Sequence, residues 1–224
     1  MSVEASAPIA AIDLVVLASG SGTNLQAILD AIEAGRLAAR VRLVVSNVPG
    51  VRALERASAL GIPTVVVSHK EHRDRATFDG KLVEAIRAVT GDAPVHVVLA
   101  GFMRILGPAF LDAFPRRVIN IHPALLPAFP GVDAQAQAIA KGVRISGCTV
   151  HLVDAGTDTG PILAQAAVPV LPGDDRDALA ARILVQEHHL LPTVLQWIAE
   201  GRLLFDGDGR PRLEGVDPFF GVAR

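Results

Sequence analysis

The run VINIHPALLPAFPG places Asn120 and His122 two residues apart on a strand-like segment and follows them with Pro123, Pro127 and Pro130. Alternation along a strand points both side chains to one face. An amide donor beside an imidazole suits a carbonyl oxygen that gains negative charge, because the amide stabilises the oxyanion and the ring supplies a proton. A second stretch, HLVDAGTDTG, puts His151 on a strand and Asp154 and Asp158 around a glycine-containing turn. A carboxylate there can reach His122, orient its ring and stabilise the imidazolium. Such a pair at about 4 Å, with an effective dielectric near 20, is worth roughly 4 kcal/mol before desolvation. Taken alone, His122 reads better as a satisfied strand-end histidine; the second stretch turns it toward chemistry.

A third stretch, LASGSGTNLQ, follows a strand and opens a helix. Ser19, Gly20, Ser21, Gly22, Thr23 and Asn24 offer hydroxyls and backbone N–H groups where a helix favours an anion. Leu25 stands where a dinucleotide fingerprint needs its third glycine, and the next strand ends in SNVPG without the acid that holds a ribose. No Gly-Lys-Ser/Thr follows, so this is no P-loop. One phosphate or carboxylate fits the loop, with a plain tight turn as the alternative.

Other chemistries are less well supplied. There is no G-x-S-x-G elbow, and Cys148 precedes a strand without a positioned base, so covalent catalysis is not expected. Cys148 reads instead as a buried strand-end thiol. His122, His151 and Asp158 lack a helical H-x-x-x-H pair or cysteines beside them, and no metal is expected. What remains is direct attack by a substrate amine on an activated acyl donor.

These groups need a scaffold that gathers them. Strand candidates IDLVVLAS, VRLVVSN, PTVVVS, VHVVLA and VINIH alternate with helical patterns TNLQAILDAIEAG, VRALERASALG and DRATFDGKLVEAIRAV. Strands apolar on both faces, separated by helices, predict a doubly wound α/β domain with a mainly parallel sheet. After a short helix in VDAQAQAIAKG, the strands SGCTVHLVD and ILAQAAVPV predict an antiparallel extension. A long helix follows, with Asp174 or Asp175 as N-cap and Pro192 expected to kink or divide it. RLLFDGDGRPRLEG predicts a hairpin around an Asp-Gly turn. In such a sheet ligands bind beyond the carboxyl ends of the strands, where the three stretches can meet.

Composition sets the outer limits. The chain has 224 residues, half of them apolar and a fifth charged, which suits one large globular domain. A net charge of −2 argues against broad capture of nucleic acid or anionic membrane. A single cysteine fits a reducing compartment. The apolar N-terminal run is interrupted by Asp13 and lacks a basic region before it, so it predicts a tail leading into a strand rather than a signal peptide. The expected location is cytoplasmic. We expect a flexible tail over 1–11, one domain over 12–204 and a C-terminal hairpin and tail over 205–224.

With these residues in view, the sequence resembles the folate-dependent phosphoribosylglycinamide formyltransferases. LASGSGTNLQAIL, SN, AGFMRIL, INIHPALLPAFPG, TVHLVDAGTDTGPI and VQEH occur in family order from Ile12 to about Leu204. The resemblance implies a Rossmann-like formyltransferase fold. It implies an enzyme of purine biosynthesis that moves a formyl group from the cosubstrate 10-formyltetrahydrofolate to the amine of glycinamide ribonucleotide. By the same resemblance, Asn120 and His122 stabilise and protonate the formyl oxygen, and Asp158 tunes the His and helps shuttle protons. Gly22, Thr23 and Asn24 hold the ribonucleotide phosphate, and Glu187 contacts its ribose. Arg75, Met103, Arg104, Ile105, Leu106 and Asn120 line the folate site, with DAGTD as its other wall.

The chain departs from the family where PGVDAQAQ carries Asp133 and Gln137 in place of a more usual His and basic residue, and at Ala155 and Thr157. A methionyl-tRNA formyltransferase is expected to carry a further C-terminal domain and a basic surface, and a formyltetrahydrofolate hydrolase an N-terminal regulatory domain. A non-catalytic binding module predicts a broken Asn-His-Asp set, and the set is intact. Small-molecule partners are expected, without nucleic acid or membrane; the sequence leaves a homodimer open.

Overall fold

A strand buried on both faces needs a helical layer on each side, and β1 (Ile12–Ala18) is such a strand. Its Leu14, Val16 and Ala18 enter one apolar core while Val15 and Leu17 enter the other. The computed structural model describes residues 9–216 and 219–220, so residues 1–8 of the expected tail, and 217–218 and 221–224, lie outside the described residues. The chain continues through α1 (Thr23–Glu33), β2 (Ala39–Ser46), α2 (Arg52–Ala59), β3 (Thr64–Val66), α3 (Arg75–Thr90) and β4 (Val95–Leu99). Next come α4 (Pro108–Leu111), β5 (Val118–His122), α5 (Ala134–Lys141), β6 (Ile145–Leu152), β7 (Ile162–Pro169) and α6 (Arg176–Ala199). Three short strands close the described chain, β8 (Leu203–Phe205), β9 (Pro211–Leu213) and β10 (Phe219–Phe220).

The main sheet has the order β10-β7-β6-β5-β4-β1-β2-β3. From β3 to β5 every pairing is parallel, whereas β6 runs antiparallel to β5 and β7 antiparallel to β6. The doubly wound sheet with an antiparallel extension is therefore the observed fold. Helices α1, α2, α5 and α6 cover one face; α3 and α4, through Phe78, Leu82, Ile86 and Phe110, cover the other. The chain moves outward from β1 first to β2 and β3, then to β4 and β5. That reversal opens a crevice beyond the carboxyl ends of β1 and β4.

Local readings are corrected in three places, and the choice between two N-caps is decided. Pro192 does not divide α6, which is unbroken from Arg176 to Ala199. Pro192 is itself buried beside Leu190, Leu191, Val194 and Leu195, and burial of that stripe offsets the roughly 3 kcal/mol a helical proline costs. Asp175 is the N-cap, accepting from Ala178 N, because Asp174 is engaged by Arg182. The four-residue helix α4 carries too little periodicity to be foreseen. Cys148 lies within β6, opposite Ala166, rather than before it. Burial and then the nearby Glu187 carboxylate push its thiol upward, so it stays protonated and unreactive. The hairpin of β8 and β9 pairs Leu203 with Leu213 around the Asp-Gly turn.

Candidate active site

Prolines supply no amide donors, so the wall that follows β5 has to be held by side chains from elsewhere. Thr149 Oγ1 accepts from Leu126 N at 3.0 Å and donates to Ala124 O at 2.7 Å. Gln165, paired with Thr149 across the β6–β7 ladder, donates to Leu126 O at 2.9 Å. Gln137 donates to Val132 O at 2.9 Å and to Pro130 O at 3.3 Å. Asp133 caps α5 in a left-handed conformation and pairs with Arg176 at 2.8 Å. The two departures from the family pattern thus brace the mouth of the site.

Asn120 and His122 share a face of β5, as the period of the strand predicts. His122 Nε2 donates to Phe129 O at 2.8 Å, and its Nδ1 lies 3.3 Å from Asp158 Oδ2. A neutral ring can donate to only one of those acceptors; an imidazolium donates to both. Asp158 Oδ2 also accepts from Gly131 N at 2.8 Å, and Oδ1 lies 3.5 Å from Asn120 Nδ2. The amide and the ring therefore both aim at one carboxylate, which marks where a developing oxyanion would meet the same donors.

His151 has a role the sequence did not reveal. It sits opposite Asn120 in the β5–β6 pairing, almost fully buried. Its Nδ1 donates to Leu152 O at 2.9 Å, so in the neutral ring Nε2 is an acceptor and takes one Asn120 amide hydrogen at 3.0 Å. Burial is the main cause holding its pKa below the ordinary value, outweighing the opposing pull of Leu152 O and Asp158. With both nitrogens committed, His151 fixes the rotamer of Asn120 and is unsuited to the metal triad its spacing allowed. Among the described residues no group of three His, Cys, Asp or Glu side chains could hold a metal ion.

The two acids in the turn make different contacts. Asp154 Oδ1 accepts from Gly156 N at 3.0 Å and Thr159 Oγ1 at 2.8 Å, closing the loop on itself. Asp158 occupies a left-handed backbone conformation, φ 55°, which turns its carboxylate toward His122. Because β6 is antiparallel to β5, it ends at the level of Ile119, and the loop doubles back to bring Asp158 to His122.

A cavity of about 510 Å³ opens in front of this centre. Met103, Arg104, Ile105 and Leu106 form one wall, and Asp154, Gly156, Thr157 and Asp158 another. Arg176 also lines it and was not foreseen, since it reaches the site from α6. Arg75 is not among the lining residues; its guanidinium lies beside Gly107 and Asp79, just past Leu106.

A second cavity of about 230 Å³ is lined by Ser19 to Asn24 with Ala100, Gly101 and Met103, so the two cavities share Gly101 and Met103. Gly22 caps α1 at φ 68°, and a β-carbon there would lie 2.7 Å from Ala53 Cα, so only glycine lets the loop approach α2. No side chain caps α1, which leaves first-turn amides free for an anion. Asn24 is buried and donates to Glu187 Oε2 at 2.8 Å. Glu187 therefore stands behind Asn24 rather than lining the cavity.

Burial raises the Glu187 pKa, opposed by the Asn24 hydrogen bond. A folded-state pKa raised above the unfolded value gives stability that is present at low pH and lost as pH rises through it. Glu187→Gln should therefore melt higher than the parent at pH 8, by about 2–4 °C per kcal/mol relieved. The difference should shrink toward pH 4.5; thermal melts at both values check it.

Comparison with known proteins places these features in company. A model of the formyl transferase family matches residues 12–195. A phosphoribosylglycinamide formyltransferase of Mycobacterium tuberculosis is 50% identical over 192 residues, covering 86% of this chain and 87% of that protein. The trifunctional purine biosynthetic protein adenosine-3 of Drosophila melanogaster is 47% identical over 193 residues, and the chain spans 14% of its length. A crystal structure of glycinamide ribonucleotide transformylase 1 from Symbiobacterium toebii superimposes with a TM-score of 0.85 at 48% identity, covering 91% of this chain and 94% of that one.

Proposed function

The chain belongs to the formyl transferase family, and from that premise we propose that it transfers the formyl group of 10-formyltetrahydrofolate to the amine of glycinamide ribonucleotide. The observation that carries this reading is the convergence of Asn120 and His122 on Asp158 at the mouth of a cavity that shares a wall with the glycine loop. The folate lies in the larger cavity and the phosphate of the ribonucleotide at the start of α1, so the amine and the formyl carbon meet between them.

The amine attacks the formyl carbon directly. As the tetrahedral intermediate forms, its oxygen takes the second Asn120 amide hydrogen and a His122 N–H. Asp158 orients the ring and relays the proton lost by the amine. Collapse breaks the bond to the folate nitrogen, which leaves protonated as tetrahydrofolate. Holding the two substrates together supplies orientation, and the fixed donors need no reorganisation when charge develops.

Absorbance of the folate tests the reading directly. Purified protein should consume 10-formyltetrahydrofolate only when glycinamide ribonucleotide is present. Consumption without the acceptor would make it a hydrolase, and no consumption with both would overturn the assignment. Thr23→Val keeps the backbone amide and removes the hydroxyl. It should raise KM for the ribonucleotide about tenfold and KM for the folate much less; equal changes in steady-state kinetics would detach the loop from the phosphate.

A further inference from the structure

Gly101–Gly107 divides the two cavities yet belongs to no helix or strand. Phe102 and Leu106 are buried, whereas Met103 and Ile105 are 67% and 52% exposed. What fixes this segment comes from distant parts of the chain. Met103 N donates to Ser19 Oγ at 2.8 Å, and Gly107 N donates to Asp79 Oδ2 at 2.8 Å. Ser19 N also donates to Gly101 O at 3.0 Å. The Ser19 hydroxyl is itself oriented, donating to Asn47 Oδ1 at 2.6 Å, and Asn47 Nδ2 donates to His69 Nδ1 at 3.2 Å. A hydroxyl has one proton to give, so committing it to Asn47 turns its lone pairs toward the Met103 amide. Asn47 is buried and lines neither cavity.

We propose that Ser19, aimed by Asn47, is a positioning residue for the folate side: it stands in the glycine loop but holds the wall of the neighbouring cavity. The assignment of that cavity to folate rests on the function proposed above; the strut itself does not. Two of its hydrogen bonds tie the loop to the wall, so a phosphate that stiffens the loop also stiffens the surface against which the folate packs. Asp79 anchors the far end, so the wall hangs between α3 and the glycine loop.

Two measurements decide the matter. Amide hydrogen exchange on the labelled protein should show Met103 protected in the parent and exchanging faster in Ser19→Ala, with Gly107 unchanged. Steady-state kinetics should show Ser19→Ala and Asn47→Ala each raising KM for 10-formyltetrahydrofolate about five- to tenfold, the effect of one lost hydrogen bond. KM for the ribonucleotide should rise less. Asn47→Asp, which keeps the acceptor for Ser19, should restore most of the loss and shows that the Asn47→Ala defect is not misfolding. Unchanged Met103 exchange in Ser19→Ala would overturn the strut whatever the enzyme does. Faster exchange with equal rises in both KM values would overturn its assignment to the folate side. A parent inactive with both substrates would remove the proposed function, and the exchange result would still decide the strut.

Discussion

His122→Ala should lower kcat for formyl transfer by about 10²–10⁴ while KM for each substrate changes far less. The reason is positional as well as chemical. The ring is 4% exposed; Phe129 O holds its Nε2 at 2.8 Å, and Nδ1, at a longer 3.3 Å from Asp158 Oδ2, is the N–H that would turn to a substrate oxygen in the proposed reaction. Losing the ring leaves Phe129 O without its donor and Asp158 Oδ2 without its 3.3 Å neighbour. The cost to stability is about 1–3 kcal/mol, which thermal melting would register as a modest drop. The β5 ladder does not depend on the side chain, so the fold should survive. Near-normal turnover in a folded His122→Ala protein would remove the ring from the reaction.

Asn120→Ala should reduce kcat by about 10²–10³, the scale of losing one oxyanion donor. Asn120 is held more firmly than a lone amide on a strand, because His151 takes one of its hydrogens and leaves the other directed at the Asp158 side of the cleft. Single-turnover rates separate this loss from weakened binding. The double variant with His122→Ala should be only slightly slower than the worse single variant, since the two donors act on one oxygen. Full additivity in that cycle, or a loss confined to KM, would mean that Asn120 serves binding rather than the transition state.

Much of this was legible before any fold was known. The two-residue period of a strand placed Asn120 and His122 together, and five runs of β-branched residues separated by helices placed them on a parallel sheet. The glycine loop announced itself by composition. What stayed hidden depends on contacts across long stretches of chain. Spacing alone does not distinguish Asp154 from Asp158, and only the resemblance singled out Asp158; the difference in contacts lies in which one the turn uses to close itself. His151 reads as an ordinary strand histidine until the β5–β6 register sets it opposite Asn120. Arg176, the Asp79 anchor and the Ser19–Asn47 pair are joined to the site only by tertiary packing. Arg75, whose match to the family is looser than the others, does not line the cavity and stands beside Gly107 instead. Pro192 shows the converse, a helix-breaking residue carried within an unbroken helix by the apolar stripe around it.

The loop between β6 and β7 bears on how this sequence can change. Surface loops ordinarily tolerate insertions and deletions better than the elements they join. Here the loop leaves its strand beside Ile119 and has to return past three residues of β5, roughly 10 Å, before Asp158 faces His122. A residue lost would leave the carboxylate short of the ring, and a residue gained would carry it past. Ala155 is exposed and lines neither cavity, so it is free to vary in kind. Drift at this point can therefore replace Ala155, but it can alter neither the acids and glycines around it nor how many residues there are.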